Sequence, residues 1–146
     1  MDIIKTSLLG ILLYGFFLSS SSQVTDCSGA CNLQFRCNPY DKHLYWAISE
    51  GVCRVFKNGC FFSSHNCQRE NRCLRPLNST SKARCIEYCQ VTCPLGGPQV
   101  CASFSYVDAR MNRDRQRTFQ NRCYLDQFSC QYDNAYIGEP SIGPCS

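Results

Sequence analysis

Fourteen cysteines constrain this chain more than any other feature, and all of them lie after residue 26. Catalytic thiols alone would not require so many. The chain also has no Cys-x-x-Cys pair of the kind that builds zinc sites. Cysteines present in such number in an oxidising compartment form disulfides. The sequence therefore predicts seven disulfides.

The cysteine spacing repeats along the chain. One pattern, aromatic-x-Asn-x-Cys followed by six residues and a second Cys, occurs at Phe56–Cys67 and again at Phe119–Cys130. When Cys27 is aligned with Cys89, four of the five intervals between successive cysteines agree to within two residues, and the first half has two extra cysteines, Cys53 and Cys73. A repeat of this kind predicts two tandem copies of one small domain. The predicted domains are residues 27–85 and 89–145.

Each predicted domain is a short helix packed on a small antiparallel sheet, which makes the chain a small disulfide-rich α+β protein. Cysteines seven residues apart return to one face of a helix, and Asn is a favoured residue at a helix start. The predicted helices cover residues 57–70 and 120–133. Strand-forming residues precede them at 44–48 and 103–107. Domains this small need disulfides to supplement their hydrophobic cores.

The N-terminus predicts secretion. A cationic start, a short apolar run and small residues make residues 1–22 a signal peptide, since the run is shorter than the roughly 20 residues that cross a bilayer. Nothing after it could span a membrane, so we expect an extracellular protein. Asn78-Ser79-Thr80 is a glycosylation sequon, which in a secreted protein predicts a glycan on Asn78. The alternative is an unoccupied surface loop.

The charge of the chain is +4, too weakly basic to indicate a nucleic-acid partner. One local cluster is strongly basic and is opposed only by Asp108 and Asp114. It could be an ordinary solvated surface, or a site for a heparin-like glycosaminoglycan or an acidic protein. The cluster consists of Arg110, Arg113, Arg115, Arg117 and Arg122.

The second half resembles the Kazal family, in the variant found in follistatin-like and agrin-like modules. The resemblance rests on Cys89-x-x-x-Cys93, on Cys93-Pro followed by six residues and Cys101, and on Phe119-x-Asn-x-Cys-x-Leu followed by four residues and Cys130. A Gly shortly before Cys145 completes it. The first half matches less closely, and both halves carry extra residues between their third and fourth cysteines. The chain thus resembles a divergent tandem pair.

The resemblance implies a disulfide pairing that spacing alone would leave open among 15 choices for six cysteines. First pairs with fifth, second with fourth and third with sixth, and the two extra cysteines pair with each other. The implied bonds are Cys27–Cys67, Cys31–Cys60, Cys37–Cys85, Cys53–Cys73, Cys89–Cys130, Cys93–Cys123 and Cys101–Cys145.

The resemblance also implies serine-protease inhibition. In the family, the segment after the second Cys enters the protease cleft like a substrate, and the second residue of that segment fills the specificity pocket. That residue is Leu95, within Pro94-Leu95-Gly96, or in the first half Leu33, followed by Gln34. Leucine suits a chymotrypsin- or elastase-type pocket. Asn121 and Asn58 would support the two loops from behind, or merely cap their helices.

Two other functions compete with inhibition. A non-inhibitory extracellular binding module would use the arginine cluster or exposed aromatics. An enzyme is the weakest alternative, because the chain has two histidines, His43 and His65, and no nucleophile in a catalytic setting. The sequence implies no cofactor and no metal.

Overall fold

The computed structural model describes residues 25–146, so the predicted signal peptide lies outside the described residues. Two three-stranded antiparallel sheets follow one another along the chain, with strand orders β2-β1-β3 and β5-β4-β6. The elements are β1 Tyr45–Ser49, β2 Val52–Phe56, α1 Gly59–Asn71, β3 Ser79–Thr80, α2 Lys82–Ile86, β4 Val100–Asp108, β5 Met111–Phe119, α3 Arg122–Gln131 and β6 Ile137–Ile142.

The predicted fold class is confirmed at the level of a small disulfide-rich α+β chain with seven disulfides. Each half has one small antiparallel sheet and, between its second and third strands along the chain, a helix, α1 or α3, that carries two cysteines seven residues apart. Helix α2 was not predicted, because its single turn leaves no periodic pattern.

A long hairpin accounts for most of the residues between Cys101 and Cys123. Strands β4 and β5 pair over their full length, and Ala109 and Arg110 form the two-residue turn with φ angles of 44° and 68°. Such turns need a positive φ at both central residues. The shorter β1–β2 hairpin meets the same need with Glu50 and Gly51, whose φ angles are 53° and 73°.

The two halves share a hydrophobic core. One buried cluster joins Trp46, Val55 and the Cys53–Cys85 bond of the first half to Cys130 and Ala135 of the second. A separate aromatic cluster lies between the second sheet and α3, with Leu125 fully buried. Because one cluster crosses the junction, the first half packs directly on the second.

Polar contacts reinforce this junction. The guanidinium of Arg54 forms an ion pair with the buried carboxylate of Asp126, and the ammonium of Lys57 donates to the backbone carbonyl of Ser105. An isolated buried carboxylate would be costly, so the pairing of Asp126 with Arg54 makes its burial tolerable. Only three residues separate Cys85 from Cys89, which is too short for a flexible linker, and these contacts agree with a close arrangement of the two halves.

The disulfides agree with the implied pairing in the second half only. Cys89–Cys130, Cys93–Cys123 and Cys101–Cys145 are present. The four bonds implied for the first half, Cys27–Cys67, Cys31–Cys60, Cys37–Cys85 and Cys53–Cys73, are wrong. The structure has Cys27–Cys73, Cys31–Cys67, Cys37–Cys60 and Cys53–Cys85 instead.

Burial explains why Cys53 and Cys73 do not pair. Cys53 lies on β2 and is 1% exposed, facing Cys85 of α2 inside the shared core. Cys73 lies just beyond the end of α1, exposed and with φ 57°. It therefore reaches the N-terminal segment at Cys27, not the core.

Helix α1 fixes the rest of the pairing in the first half. Its Cys60 and Cys67 bind Cys37 and Cys31, as Cys123 and Cys130 of α3 bind Cys93 and Cys89. The counterparts of Cys89 and Cys93 are therefore Cys31 and Cys37. The additional cysteine at the start of the first half is Cys27, and this shifts the alignment by one cysteine.

No helix within residues 25–146 is both long enough and apolar enough to cross a membrane. All fourteen cysteines are in disulfides, which is typical of extracellular proteins. The sulfur atoms of Cys53, Cys89 and Cys130 lie within 4.8 Å of one another. Since each is already bonded to another sulfur, this cluster is a contact between two disulfides at the junction.

Candidate functional site

The segment from Pro94 to Gly97 is an exposed loop that one disulfide and the side chain of Asn121 connect to the start of α3. The Cys93–Cys123 bond attaches its start to the first turn of the helix. The Leu95 side chain is 81% exposed, so nothing in the described chain covers it. An apolar side chain presented in this way is available to a partner.

Asn121 supports the loop from behind. Its side-chain Nδ2 donates to the carbonyl oxygens of Pro94 and Gly96, at 2.8 Å each, on either side of Leu95. Its Oδ1 accepts from the backbone N–H of Tyr124 at 3.3 Å and so caps α3. One buried amide thus fixes the loop to the helix start. The two roles considered for Asn121, loop support and helix cap, occur together.

Gln120 is a further residue that supports the loop. Its Nε2 donates to the carbonyl oxygen of Leu95 at 2.8 Å, in an exposed hydrogen bond. With the two bonds from Asn121, three successive carbonyl groups of the loop accept hydrogen bonds from the segment that leads into α3. No motif indicated this residue, because the contact depends on how the loop passes over the strand end.

The two glycines of the loop differ. Gly97 has φ 107°, a conformation that only glycine adopts readily, and a Cβ there would lie 3.5 Å from the Cβ of Asn121. Gly96 has no such φ and open space around it, and its carbonyl is held by Asn121. The backbone conformation therefore requires glycine at residue 97 but not at residue 96.

The first half has a counterpart of this loop, but not at Leu33 and Gln34. Those residues lie between Cys31 and Cys37, the two cysteines that bind α1, whereas the loop follows Cys37. Leu33 therefore does not occupy the position that corresponds to Leu95. The second residue after Cys37 is Pro39.

Asn58 supports this first-half loop as Asn121 supports the other. Its Nδ2 donates to the carbonyl oxygens of Asn38 and Asp41, at 3.0 Å each, and its Oδ1 caps α1. The two acceptors are three residues apart here and two apart in the second half. The loop is therefore wider by one residue.

The predicted arginine cluster separates into two groups. Arg122 extends from α3 into the junction, where it donates to Glu139 and Tyr136 at 2.7 Å each and approaches Asp126 at 3.4 Å. Burial lowers the pKa of Arg122, but Tyr136, Asp126 and Glu139 raise it by more, so the group stays charged. Burial and the Asp126 carboxylate raise the pKa of Tyr136 to about 12. These groups form a structural network.

The remaining arginines of the cluster lie on the β4–β5 hairpin and are exposed. Arg110 is in the turn, and Arg113, Arg115 and Arg117 lie along β5. The sequon residue Asn78 is also exposed, directly before β3, so an attached glycan would extend into solvent.

No family model, curated protein or solved structure matches this chain.

Proposed function

We propose that this chain is a secreted, Kazal-like inhibitor of serine proteases that acts through the loop from Pro94 to Gly97. The observation that supports it most is the bridge from the Asn121 amide to the carbonyl oxygens of Pro94 and Gly96. This bridge holds the Pro94–Leu95 and Gly96–Gly97 peptide groups, which flank the Leu95–Gly96 bond, in place. It is the support that the resemblance implies for an inhibitory loop.

The physical basis of inhibition is preorganisation. A loop already fixed in its bound conformation loses little entropy when a protease closes around it, so its contacts contribute almost fully to affinity. The Cys93–Cys123 bond and the Asn121 amide together provide that fixation. The same fixation resists separation of the two loop segments after cleavage, which keeps the inhibitor in the cleft.

The target is a protease with an apolar specificity pocket, of the chymotrypsin or elastase type, because Leu95 is apolar and uncharged. The first-half loop is not the inhibitory one. Pro39 stands at its primary position, and the next residue, Tyr40, contacts the second half at Asp114.

The test is inhibition of chymotrypsin-, elastase-, subtilisin- and trypsin-like enzymes by the purified protein. We expect the wild type to inhibit at least one of the first three. Leu95→Asp should abolish this inhibition, because an acidic side chain is costly in an apolar pocket, and Leu95→Arg should redirect the protein to the trypsin-like enzyme. Leu33→Asp is the matched control, exposed in the same way, and should inhibit like the wild type.

Two results would reject the proposal. One is the absence of inhibition at micromolar concentration of a protein whose seven disulfides are intact. The other is inhibition that survives Leu95→Asp unchanged.

A further inference from the structure

Three arginines form a straight row on one face of β5. Side chains two residues apart on a strand point to the same side, so Arg113, Arg115 and Arg117 share a face. Successive members are about 7 Å apart along the strand, at roughly 3.4 Å per residue. We call these three residues the arginine row. The sequence cluster of five arginines is therefore a row of three on this face.

Aromatic rings hold one end of the arginine row. The guanidinium carbon of Arg117 lies 4.5 Å from the ring centroid of Phe128 and 5.0 Å from that of Phe119. Contacts of this kind are attractive and orient the cation over the ring. Opposite the other two arginines, on β4, are Phe104 and Tyr106. The row thus lies beside aromatic residues on the same face.

No residue between 25 and 146 forms an ion pair with the arginine row. The ion pairs within residues 25–146 use other arginines, namely Arg54, Arg84 and Arg122. Asp114 is in the middle of β5 but on the opposite face, where it accepts hydrogen bonds from Ser105 and Tyr40. Three like charges at this spacing repel one another, so an anion placed along them gains attraction from all three.

The geometry selects the kind of anion. The row is linear, evenly spaced and exposed throughout, which suits a polymer with a charge on every repeat more than a single small anion. We propose that the arginine row binds a sulfated glycosaminoglycan chain lying along β5. Sulfated polysaccharides are the linear polyanions that an extracellular disulfide-rich protein meets, and the planar guanidinium matches oxyanions with two parallel N–H groups.

This site is separate from the candidate inhibitory loop. Asn121 and the loop lie at the end of β5 where Phe119 pairs with Val100. The row begins at Arg117, two residues and about 7 Å from Phe119, and extends away from the loop to Arg113, six residues and about 20 Å from Phe119. A bound polysaccharide can therefore hold the protein while Leu95 remains exposed.

The test compares retention on immobilised heparin in a salt gradient. The row variant replaces Arg113, Arg115 and Arg117 by Ser. The control variant replaces three exposed arginines outside the row, Arg36, Arg72 and Arg75, by Ser, so that both lose the same charge. We expect the row variant alone to elute early. For the row variant, the slope of log affinity against log salt concentration should become shallower by about one for each arginine removed, as counterion release predicts.

Competition identifies the ligand chemistry, and both variants must keep the wild-type unfolding temperature. Soluble heparin should displace the wild type, while fully desulfated heparin and polyglutamate should not. The proposal is overturned if both variants lose retention equally, because net charge would then be sufficient. It is also overturned if polyglutamate competes as well as heparin. Retention unchanged in the row variant, with new self-association, would show instead that the row only prevents pairing at the edge strand β5.

Discussion

The hydroxyl of Tyr40 lies 3.1 Å from both carboxylate oxygens of Asp114, and so joins the loop of the first half to the hairpin of the second. The hydrogen bond to Asp114 raises the pKa of Tyr40 above its ordinary value of 10.0, and the phenol stays protonated. Asp114 also accepts from the hydroxyl of Ser105 at 2.7 Å. The two corresponding loops thus have different surroundings. The loop after Cys37 contacts the second half, whereas the loop after Cys93 is exposed.

Asn121→Asp separates the two roles of this residue. The carboxylate can still cap α3 by accepting from Tyr124, but it cannot donate to Pro94 and Gly96. We expect a stability loss of about 2 kcal/mol, since each of the two lost hydrogen bonds is worth about 1 kcal/mol. Inhibition should weaken by about tenfold or more, because the loop is no longer held in its bound conformation. The measurements are the inhibition constant and thermal unfolding.

Asn58→Asp is the matched control for that change. It removes the corresponding donor to Asn38 and Asp41 while the cap of α1 is kept. Inhibition should stay within about twofold of the wild type, because net effects of a distant hydrogen bond are small. If both Asp variants inhibited equally well, the amide bridge would have no part in inhibition.

Gly96→Ala and Gly97→Ala should have opposite effects. Alanine fits at residue 96 without a clash or a positive φ, and it restricts the unfolded chain, which stabilises by about 0.4–1 kcal/mol. At residue 97 it would be forced to φ 107°, which destabilises by more than that amount. Chemical unfolding measures both. Equal losses would mean that Gly96 also needs its glycine, contrary to the geometry.

How much of this could be predicted depends on whether a feature is local. Phe119–Cys130 is a continuous pattern, so it predicted α3 and the two cysteines on it. The family resemblance implied how those cysteines pair and that Asn121 supports the loop. The pairing of Cys53 depends instead on where α2 packs against β2, and spacing cannot show that an added Cys27 displaces the alignment. Arg122 was grouped with its neighbours in sequence, although its helix turns it into the junction.

Gln120→Met should make protease binding faster. The carbonyl of Leu95 would have to enter the oxyanion hole of the enzyme, and in the free protein it accepts from the Gln120 amide at 2.8 Å. Met has a similar shape and no donor, so this competition disappears. We expect an association rate constant higher by roughly two- to fivefold, the effect of one exposed hydrogen bond. Stopped-flow inhibition measures it, and slower association would show that Gln120 orders the loop productively.

His65 should make the fold less stable in mild acid. Its ring packs against Phe56, with 5.1 Å between centroids. Burial lowers its pKa below the ordinary 6.5, the nearby Arg69 adds to this, and Glu139 opposes it. Well above pH 6.5 the ring is neutral in both states, so it does not affect the pH dependence of stability there.

As the pH falls below 6.5, the unfolded chain takes up a proton before the folded chain does. The free energy of unfolding therefore decreases until the pH passes the lowered pKa of His65, and below that it no longer changes through this group. Chemical unfolding between pH 7.5 and 5 should show this decrease in the wild type and a smaller one in His65→Gln. The same measurement on His43→Gln shows which of the two histidines causes the decrease. A slope kept in His65→Gln but lost in His43→Gln would assign the effect to the exposed ring and refute the prediction.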